Sequence, residues 1–348
     1  MAKRYKIMHI MATTGGVMGG LEKHTMELVS ALAEKHDVYL LADQSYALHC
    51  PERVYFCPIN FRLSRFNPYL YWQIAHIINN ETPHIVHCQA GKPTSIARYL
   101  RYFFPQTKFI ATIHGVHRKI TPYLMMDGII TVSDLLAKQF PATAHVRTIY
   151  NGIVSTKPLT PNACQDLRQQ YDVLPDENLL IAIGRLDKVK GFDLLLAALV
   201  GVDAKLWLVG DGSERQALEE QVQTLGISDR VNFLGWRSDV NYCLQAANLC
   251  VVSSRSEGFS YVIAEALQVG CPIISTKVGI APELLPPQWL VDNGDVQALH
   301  NTIQLALSHM ALLRAEYSPV FLRAQQQLTV SAMVQKTESF YEDLLKSK

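Results

Sequence analysis

Residues 179–199 read LLIAIGRLDKVKGFDLLLAAL. The first five form an apolar run without polar alternation, which is typical of a buried strand in a parallel sheet. Residues 192–199 have the apolar pattern of a helix, and the turn between the two holds Gly184 and Gly191. The stretch therefore predicts a strand, a tight turn and a helix, which is the repeating unit of an α/β protein.

The same unit recurs along the chain. Helical patterns such as residues 22–35 separate ten apolar runs that we predict to be strands. Their alternation predicts an α/β fold with parallel sheets covered on both faces. The runs are Ile7–Ala12, Val38–Ala42, Ile85–His87, Phe109–Ile113, Gly128–Val132, Leu179–Ile183, Lys205–Val209, Val231–Leu234, Leu249–Val252 and Pro272–Ser275.

The length suits two domains. The chain has 348 residues, and a typical domain has ~100–200. The strand series restarts near residue 179, after a segment rich in Asn, Pro, Thr and Gln at 151–178. We therefore expect two Rossmann-like domains with a cleft between them, over residues 1–155 and 156–330, and a helix within residues 331–348.

The charge is balanced overall but not along the chain. With 32 Lys and Arg against 31 Asp and Glu, the formal net charge is +1, which excludes a generally basic nucleic-acid binder. Residues 1–150 hold 16 basic and 9 acidic side chains, a net of +7, whereas residues 151–348 hold 16 and 22, a net of −6. Such a split favours two domains with different partners.

The seven cysteines are widely spaced and include no Cys-x-x-Cys pair. This predicts neither a disulfide framework nor a structural zinc site, but reduced thiols in a cytosolic protein. The apolar stretch after Lys6 is broken by His9 and Gly15, which favours a first strand over a signal peptide. No run approaches the ~18 apolar residues of a membrane span, so we expect a protein that is soluble or lies on a membrane surface.

Ligands of parallel α/β sheets bind at the carboxyl ends of the strands. The first strand is followed by GGVMGG at residues 15–20, whose glycines allow close approach of a ligand to the backbone. The spacing is not the dinucleotide fingerprint Gly-x-Gly-x-x-Gly, although Asp43 ends the second strand where a ribose-binding acid would lie. Phosphate contact, NAD binding and a plain surface loop remain alternatives for this segment.

The turn inside residues 179–199 carries Arg185 and Lys190. A guanidinium can bind phosphate through two bonds, and Lys190 adds a point charge beside the helix start. We interpret the turn as an anion site. The alternative is a solvated turn in which Arg185 pairs with Asp187.

A second polar motif, SEGFSYVIAEAL at residues 256–267, follows an apolar run. We expect a helix that begins near Phe259 and offers its first amides to phosphate oxygens. The first glutamate sits in the loop before the helix, and the second lies eight residues further, about two helical turns along, so both carboxylates can face one cleft unless they are unrelated. The residues singled out are Glu257, Gly258, Phe259, Ser260 and Glu265.

The run Phe109–Ile113 ends in His114 and Gly115. A histidine at the carboxyl end of a strand is placed to face a ligand, so His114 is a candidate for the reaction centre. A lone histidine is more often structural, and His117 competes for the role.

Together these segments resemble the family 4 retaining glycosyltransferases of the GT-B fold, over nearly the whole chain. That fold has two Rossmann-like domains whose parallel sheets face a cleft. Each motif alone is weakly specific, but their order and spacing are highly specific. The motifs are Gly19-Gly20-Leu-Glu, His36-Asp-Val, His114-Gly115, Val132-Ser133, Asn151-Gly152-Ile153, Gly184-Arg185 to Lys190-Gly191, Val209-Gly210-Asp211-Gly212, Phe233-Leu-Gly235 and Glu257-x7-Glu265.

The resemblance implies that the second domain binds a nucleotide-sugar, with UDP the commonest nucleotide. Arg185 and Lys190 would bind the diphosphate and neutralise the leaving group. Glu257 would bond sugar hydroxyls, Glu265 the ribose, and His114 would face the transferred sugar. The implied catalytic residues are Arg185, Lys190, Glu257 and His114. Further donor contacts would come from Gly19, Gly20, Arg237, Gly258, Phe259 and Ser260.

The chemistry agrees with these roles, because negative charge builds on the departing diphosphate and two cations can stabilise it. No Asp-x-Asp motif occurs, so we expect neither a metal ion nor another cofactor. The family's usual Gly-Gly-x-x-Glu reads Gly279-Ile280-Ala281-Pro282-Glu283 here. As in relatives, the helix Met333–Lys346 is expected to pack back on the first domain.

Two segments of the basic first domain, Phe61–Trp72 and Ser95–Phe104, mix arginine with aromatic side chains. They suit an anionic membrane surface or a phosphorylated glycolipid, although ordinary core packing with solvated arginines is an alternative. We expect an anionic glycolipid or oligosaccharide acceptor, a role in lipopolysaccharide or other surface-glycan biosynthesis, and a cytoplasmic protein attached peripherally to the inner membrane face. The arginines concerned are Arg62, Arg65, Arg98 and Arg101.

Two other activities remain open. A GT-B nucleotide-sugar epimerase would turn over its donor without any acceptor. An NAD-dependent oxidoreductase would use the glycine loop at residues 15–20, but it leaves Arg185, Lys190 and the two glutamates unexplained.

Overall fold

The computed structural model describes residues 3–116, 119–154 and 157–347. The chain forms two compact units, one of Met1–Gly152 together with Thr329–Lys348 and the other of Ile153–Leu328. The predicted boundary between residues 155 and 156 lies outside the described residues. The chain leaves the first unit after Gly152 and returns to it at Thr329.

Within the described residues the strands form two sheets. The first unit contains β1 Lys6–Met11, β2 Asp37–Ala42, β3 Tyr55–Pro58, β4 Ile85–Gln89, β5 Lys108–Ile113, β6 Gly128–Thr131 and β7 Val146–Thr148. The second contains β8 Leu179–Ile183, β9 Lys205–Val209, β10 Val231–Gly235, β11 Leu249–Val252, β12 Ile273–Thr276 and β13 Leu290–Val291. The orders are β3-β2-β1-β4-β5-β6-β7 and β10-β9-β8-β11-β12-β13, with every neighbouring pair parallel. Each order reverses once, at β1/β4 and at β8/β11, and doubly wound sheets bind ligands at such switch points.

Helices connect the strands. They are α1 Gly20–Leu32, α2 Pro68–Glu81, α3 Gly91–Leu100, α4 Thr121–Leu124, α5 Asp134–Ala137, α6 Pro161–Gln169, α7 Phe192–Leu199, α8 Arg215–Thr224, α9 Val240–Ala246, α10 Tyr261–Gln268, α11 Ala281–Leu284, α12 Val296–Ser308, α13 Met310–Gln327 and α14 Val330–Lys346. Short 3₁₀ turns occur at Gln44–His49, Arg101–Phe103, Lys188–Lys190 and Pro287–Trp289.

The C-terminal helix α14 belongs to the first unit and contacts α1. Its residues Phe340, Tyr341 and Leu344 are buried in the core that β1 and β2 also form. A Cβ at Gly128 would lie 2.7 Å from side-chain atoms of both Phe340 and Leu344, so glycine at the start of β6 makes room for the helix. The helix begins one turn earlier than predicted, because the Thr329 hydroxyl accepts a bond from the Ala332 amide at 3.1 Å and caps it.

The predicted fold class is confirmed, since both units are α/β and contain a parallel sheet. The ten predicted strands are present, each within two residues of the expected ends. The short strands β3, β7 and β13 were not predicted. The seven cysteines are free thiols, and burial raises the pKa of those at 88, 250 and 271.

Candidate functional site

Arg185 and Lys190 lie in the turn between β8 and α7. Lys190 ends the 3₁₀ turn, and Gly191 follows with a φ of +64°. A Cβ at Gly191 would lie 2.2 Å from the Ser253 carbonyl oxygen, so only glycine lets this turn pack against the loop after β11. The two loops therefore lie directly against each other.

Lys190 and Glu257 form an ion pair across these loops. Lys190 Nζ lies 2.6 Å from Glu257 Oε1, and the Ser254 hydroxyl donates to the same oxygen at 2.8 Å. The side chains are only 21% and 13% exposed, so the pair is largely shielded from water. Two residues singled out from separate motifs are thus in direct contact.

Further bonds join the same loops. The Ser253 hydroxyl donates to the Lys190 carbonyl oxygen at 3.0 Å, and the Arg255 amide donates to the Val189 carbonyl oxygen at 2.7 Å. The Arg255 guanidinium bonds both carboxylate oxygens of Asp193, at 2.7 and 2.6 Å. This pairing lowers the pKa of Asp193 and raises that of Arg255. Ser253, Arg255 and Asp193 were not predicted as site residues, and their only signal in the sequence was their position beside the two motifs.

Arg185 extends into solvent. Its Nε lies 2.6 Å from Asp187 Oδ2, and 75% of its side chain is exposed. The alternative pairing with Asp187 is therefore present. Such exposed pairs contribute little to stability, so the guanidinium can rearrange to meet an anion at small cost.

The helix of the second motif begins at Tyr261, two residues after the predicted start near Phe259. Ser260 precedes it with a φ of +73°, a left-handed conformation that costs a residue with a Cβ about 1–2 kcal/mol. Phe259 is buried, and its carbonyl oxygen accepts a bond from the Ile280 amide at 3.2 Å. The loop that starts at Gly279 is therefore hydrogen-bonded to the segment before the helix.

Glu257 and Glu265 do not lie on one helix. Glu257 is in the loop before α10, with Gly258 in the bend after it, whereas Glu265 is half-buried on the helix between Ala264 and Ala266. The predicted position of Glu257 in the loop is confirmed, but the eight residues from Glu257 to Glu265 are not two full helical turns, because α10 begins only at Tyr261. The contact with Lys190 positions Glu257 instead.

Arg237 follows β10 and is held by its neighbours. Its guanidinium bonds both oxygens of Asp239, at 2.8 and 2.6 Å, and donates to the Tyr171 hydroxyl at 2.5 Å. The hydrogen bonds to Asp239 raise the pKa of Arg237, and the adjacent Trp236 is 78% exposed. The Trp236 ring is therefore available to stack on a planar group, while Arg237 is already bonded.

In the first unit, the glycine loop ends where α1 begins, at Gly20. The Gly19 amide donates to Glu22 Oε2 at 3.0 Å, so the helix start already holds a carboxylate. Asp43 accepts bonds from the Ser45 amide and hydroxyl, at 3.2 and 2.7 Å, and is buried. Both bonds go to Oδ1, which begins a 3₁₀ turn, and this gives no support to the NAD alternative.

His114 follows β5 and contacts buried polar side chains. Its Nε2 lies 2.9 Å from Gln89 Oε1, and Gln89 Nε2 lies 3.2 Å from His9 Nδ1. The His24 ring packs edge-on at 4.8 Å from the His114 ring. Burial lowers the pKa of His9 to about 3 and of His24 to about 4, so both are neutral at pH 7. The competing His117 lies outside the described residues.

The same network reaches the C-terminal helix. His87 Nδ1 lies 2.6 Å from the Tyr341 hydroxyl, and His87 Nε2 lies 2.6 Å from the Thr112 hydroxyl. His87 is the register partner of His9 on the neighbouring strand. Sequence analysis did not single out this cluster. The sequence did contain a signal for it, because two histidines lie inside apolar runs and buried polar groups need hydrogen-bond partners.

The four arginines of the basic aromatic segments are not together. Arg65 and Arg98 line one cavity, and Arg62 lines another beside Asp43. Arg101 instead pairs with Asp127 at 3.1 Å. The first segment is helical only from Pro68 onwards. Most aromatic side chains of the two segments are exposed, which argues against the alternative of ordinary core packing. They are Phe66, Tyr69, Trp72, Tyr99, Tyr102 and Phe103.

Two kinds of feature are absent from residues 3–116, 119–154 and 157–347. No helix in these ranges combines the length and apolar character of a membrane span. No three His, Cys, Asp or Glu side chains in them are arranged to hold a metal ion.

Two family models match the chain and together reach into both units. The model described as Glycosyltransferase Family 4 matches residues 18–157, and the model described as Glycosyl transferases group 1 matches residues 165–317. The fold and these matches define a glycosyltransferase. The chain belongs to family 4 of these enzymes, as the motifs predicted.

Individual proteins agree with this assignment. The chain is 27% identical over 299 residues to N-acetyl-alpha-D-glucosaminyl L-malate synthase of Bacillus anthracis, covering 79% of this chain and 78% of that one. It is 26% identical over 285 residues to the lipopolysaccharide core biosynthesis glycosyltransferase LpsE of Rhizobium meliloti (strain 1021), covering 80% of each. The crystal structure of Anabaena Alr3699/HepE in complex with UDP and glucose matches with a TM-score of 0.83 at 22% identity, over 98% of this chain and 100% of that one. This likeness confirms the predicted GT-B fold.

Proposed function

We propose that the protein is a retaining glycosyltransferase that moves a hexose-type sugar from a UDP-sugar to a surface-glycan acceptor. The observation that carries this proposal is the 2.6 Å contact between Lys190 and Glu257. A nucleotide-sugar needs a cation beside a hydroxyl-binding carboxylate, because its sugar is bonded directly to the diphosphate. The Anabaena structure, which contains UDP and glucose, supports the choice of donor.

Arg185 and Lys190 bind the diphosphate in this proposal and stabilise the charge that grows on it. Glu257 accepts bonds from hydroxyls of the sugar, and Glu265 accepts bonds from those of the ribose. The remaining donor contacts are assigned to Gly19, Gly20, Arg237, Gly258, Phe259 and Ser260. Of the two glycines, Gly20 is the better candidate, since the Gly19 amide already bonds Glu22.

In the proposed reaction, the bond between the anomeric carbon and the diphosphate oxygen breaks through an oxocarbenium-like state. The acceptor hydroxyl then bonds the anomeric carbon from the same face, and its proton passes to the departing diphosphate. The configuration is thereby retained without a side-chain nucleophile. The charge stabilisation comes from Arg185 and Lys190, and neither a metal ion nor another cofactor is proposed.

His114 is assigned to the transferred sugar. Its Nε2 is hydrogen-bonded to Gln89 at 2.9 Å, and the edge-on contact with His24 further restricts the orientation of the ring. A ring held in this way presents a fixed orientation to a bound sugar, as a group at a reaction centre must.

The acceptor is proposed to be an anionic glycolipid or oligosaccharide of lipopolysaccharide or another surface glycan. The Rhizobium relative, named for lipopolysaccharide core biosynthesis, supports this class. The net charge of +7 over residues 1–150 favours an anionic partner. The exposed rings of Trp72 and Phe103 favour peripheral attachment to the inner face of the cytoplasmic membrane. Nucleic acid is not a proposed partner.

The test is a panel of UDP- and GDP-sugars offered to the purified protein with extracted glycolipid. We expect transfer from one UDP-sugar, a product whose anomeric configuration by NMR matches the donor, and full activity in EDTA. An inverted product would contradict the retaining mechanism. A chelator-sensitive rate that added divalent metal restores would contradict the metal-free one.

Controls separate the alternatives. Conversion of a nucleotide-sugar to its epimer without an acceptor would favour the epimerase, and reduction of NAD would favour the oxidoreductase. Capture by anionic vesicles at low salt tests the membrane contact. If the protein does not bind the vesicles under these conditions, the membrane contact is excluded.

A further inference from the structure

A surface cavity of about 430 Å³ lies in the first unit beside α3. Arg65, Arg98 and Lys119 line it, together with the rings of Phe66 and Tyr71. Volumes of this size are typical of small-molecule sites. The donor-binding motifs lie in other segments of the chain and leave this cavity without a role.

The cavity collects positive charge without a counter-ion. None of the lining residues that the structure describes is a carboxylate. Within the described ranges, the buried Nε of Arg98 has no hydrogen-bond partner. Arg101, only three residues later, pairs with Asp127 instead. Cations gathered in this way repel one another, and an anion between them would remove the repulsion.

The segment that carries Arg65 is fastened to α3. Lys92 Nζ, on that helix, donates to the carbonyl oxygens of Phe61 and, at 2.8 Å, Leu63. Burial and the charge of Arg65 lower the pKa of Lys92, in keeping with a positive local potential. The backbone on both sides of the cavity is therefore already in place.

The orientation of Arg98 is also restricted. Its guanidinium lies over the Tyr99 ring at 4.4 Å from the centroid. Gly91, the first residue of α3, lines the cavity, and no side chain caps this helix start. The positive end of the helix dipole adds to the attraction for an anion.

We propose that this cavity binds the phosphate group of a phosphorylated saccharide. A phosphate monoester carries close to two negative charges at pH 7 and three acceptor oxygens, which three cations match better than the single charge of a carboxylate. Arginine can bind two phosphate oxygens at once, and Lys119 adds a point charge. The rings of Phe66 and Tyr71 offer flat apolar faces to a sugar ring. The claim that this saccharide is the acceptor rests on the proposed function. The claim that the cavity binds it does not.

The experiment is calorimetric titration of the full-length protein with glucose 6-phosphate, glucose and inorganic phosphate. We expect glucose 6-phosphate to bind most tightly, and Arg98→Gln to weaken it about tenfold or more, because a charge-assisted bond is lost. Arg101→Gln is the matched control. It makes the same charge change three residues away, on a side chain already paired with Asp127, and should change the affinity less than about twofold.

Three results would overturn the proposal. In the first, Arg98→Gln and Arg101→Gln weaken binding equally. In the second, inorganic phosphate binds as tightly as glucose 6-phosphate. In the third, phosphatidic acid vesicles capture the protein through Arg98, and glucose 6-phosphate does not compete with them. Unchanged thermal unfolding of Arg98→Gln excludes a folding defect. UDP titration of the same proteins distinguishes the two proposals. If the protein binds the sugar phosphate but not UDP, the donor assignment is wrong and the proposal for this cavity still holds.

Discussion

Lys190 Nζ and Glu257 Oε1 are 2.6 Å apart although 67 positions separate the residues in the sequence. The cation follows β8 and the carboxylate follows β11, and these strands are neighbours at the point where the strand order of the second sheet reverses. Parallel strands bring their carboxyl ends to the same edge. A diphosphate at this edge would compete with Glu257 for the ammonium group, so the two side chains act as one unit.

Replacement of Lys190 should therefore damage transfer without unfolding the protein. We expect Lys190→Ala to lower kcat/KM about 10²–10³-fold, since the charge that grows on the diphosphate loses a fixed cation. Lys188→Ala is the control, because Lys188 lies in the same 3₁₀ turn with an exposed side chain. Similar losses in both variants would contradict the role of Lys190.

The ion pair can be measured without any substrate. Lys190→Ala and Glu257→Gln each leave a largely buried partner without its counter-ion, so each should lower the free energy of unfolding. Their combination should cost less than the sum, with a coupling energy of about 0.5–3 kcal/mol. Urea unfolding of the four proteins gives this number. Strict additivity would mean that the 2.6 Å contact does not persist in solution.

Gly191 and Gly226 offer a matched pair of substitutions. Their φ angles are +64° and +66°, but a Cβ at Gly191 would meet the Ser253 carbonyl oxygen at 2.2 Å, whereas one at Gly226 would meet nothing within 4 Å. Gly226→Ala should cost only about 1–2 kcal/mol of unfolding free energy, from backbone strain. Gly191→Ala should cost more and also weaken UDP binding, because the two loops must separate. Equal destabilisation in urea would show that the loops adapt freely.

The strands that sequence analysis found and missed differ in burial. All of the residues of β11 and β12 are buried, and the apolar run of β11 is unbroken. By contrast β3 is an edge strand with two exposed residues and a proline, while β7 and β13 have only three and two residues. Such short pieces pair because a neighbouring strand is already in place, and that information is not local.

The candidate site shows the same division between local and distant information. The rule that ligands bind after parallel strands was enough to select Arg185, Lys190 and Glu257. It did not predict that Lys190 pairs with Glu257, or that Arg98 lines a cavity while Arg101 forms an ion pair. These outcomes depend on partners far away in the chain. The roles of the site residues in transfer stay predictions.

The Gln89 side chain should matter to catalysis through His114. Gln89→Met keeps the volume but removes the 2.9 Å bond to His114 Nε2. A hydrogen bond of this kind contributes roughly 0.5–1.5 kcal/mol, so kcat should fall about 2–12-fold while the donor KM stays constant. The ¹⁵N signals of the His114 ring should shift as well. A shifted ring with an unchanged kcat would remove His114 from the reaction centre.

Acid should destabilise the first unit earlier than carboxylate protonation alone requires. Burial lowers the pKa of His9 to about 3 and of His24 to about 4, against an ordinary 6.5, and lowers that of His87 well below it. Below about pH 6.5 the unfolded chain binds protons that the folded chain excludes, so the free energy of unfolding falls as the pH falls, by up to ~1.4 kcal/mol per pH unit for each group. Urea unfolding between about pH 5 and pH 6.5 measures this slope, since ordinary carboxylates remain ionised there.

Two variants test the origin of this slope. His24→Phe should reduce it by up to the contribution of one histidine, while His49→Asn, at an exposed position, should leave it unchanged. A flat profile in the wild type would mean that these rings take up protons without leaving their buried positions, and the hydrogen bonds through Gln89 and Tyr341 would then have to tolerate charged histidines.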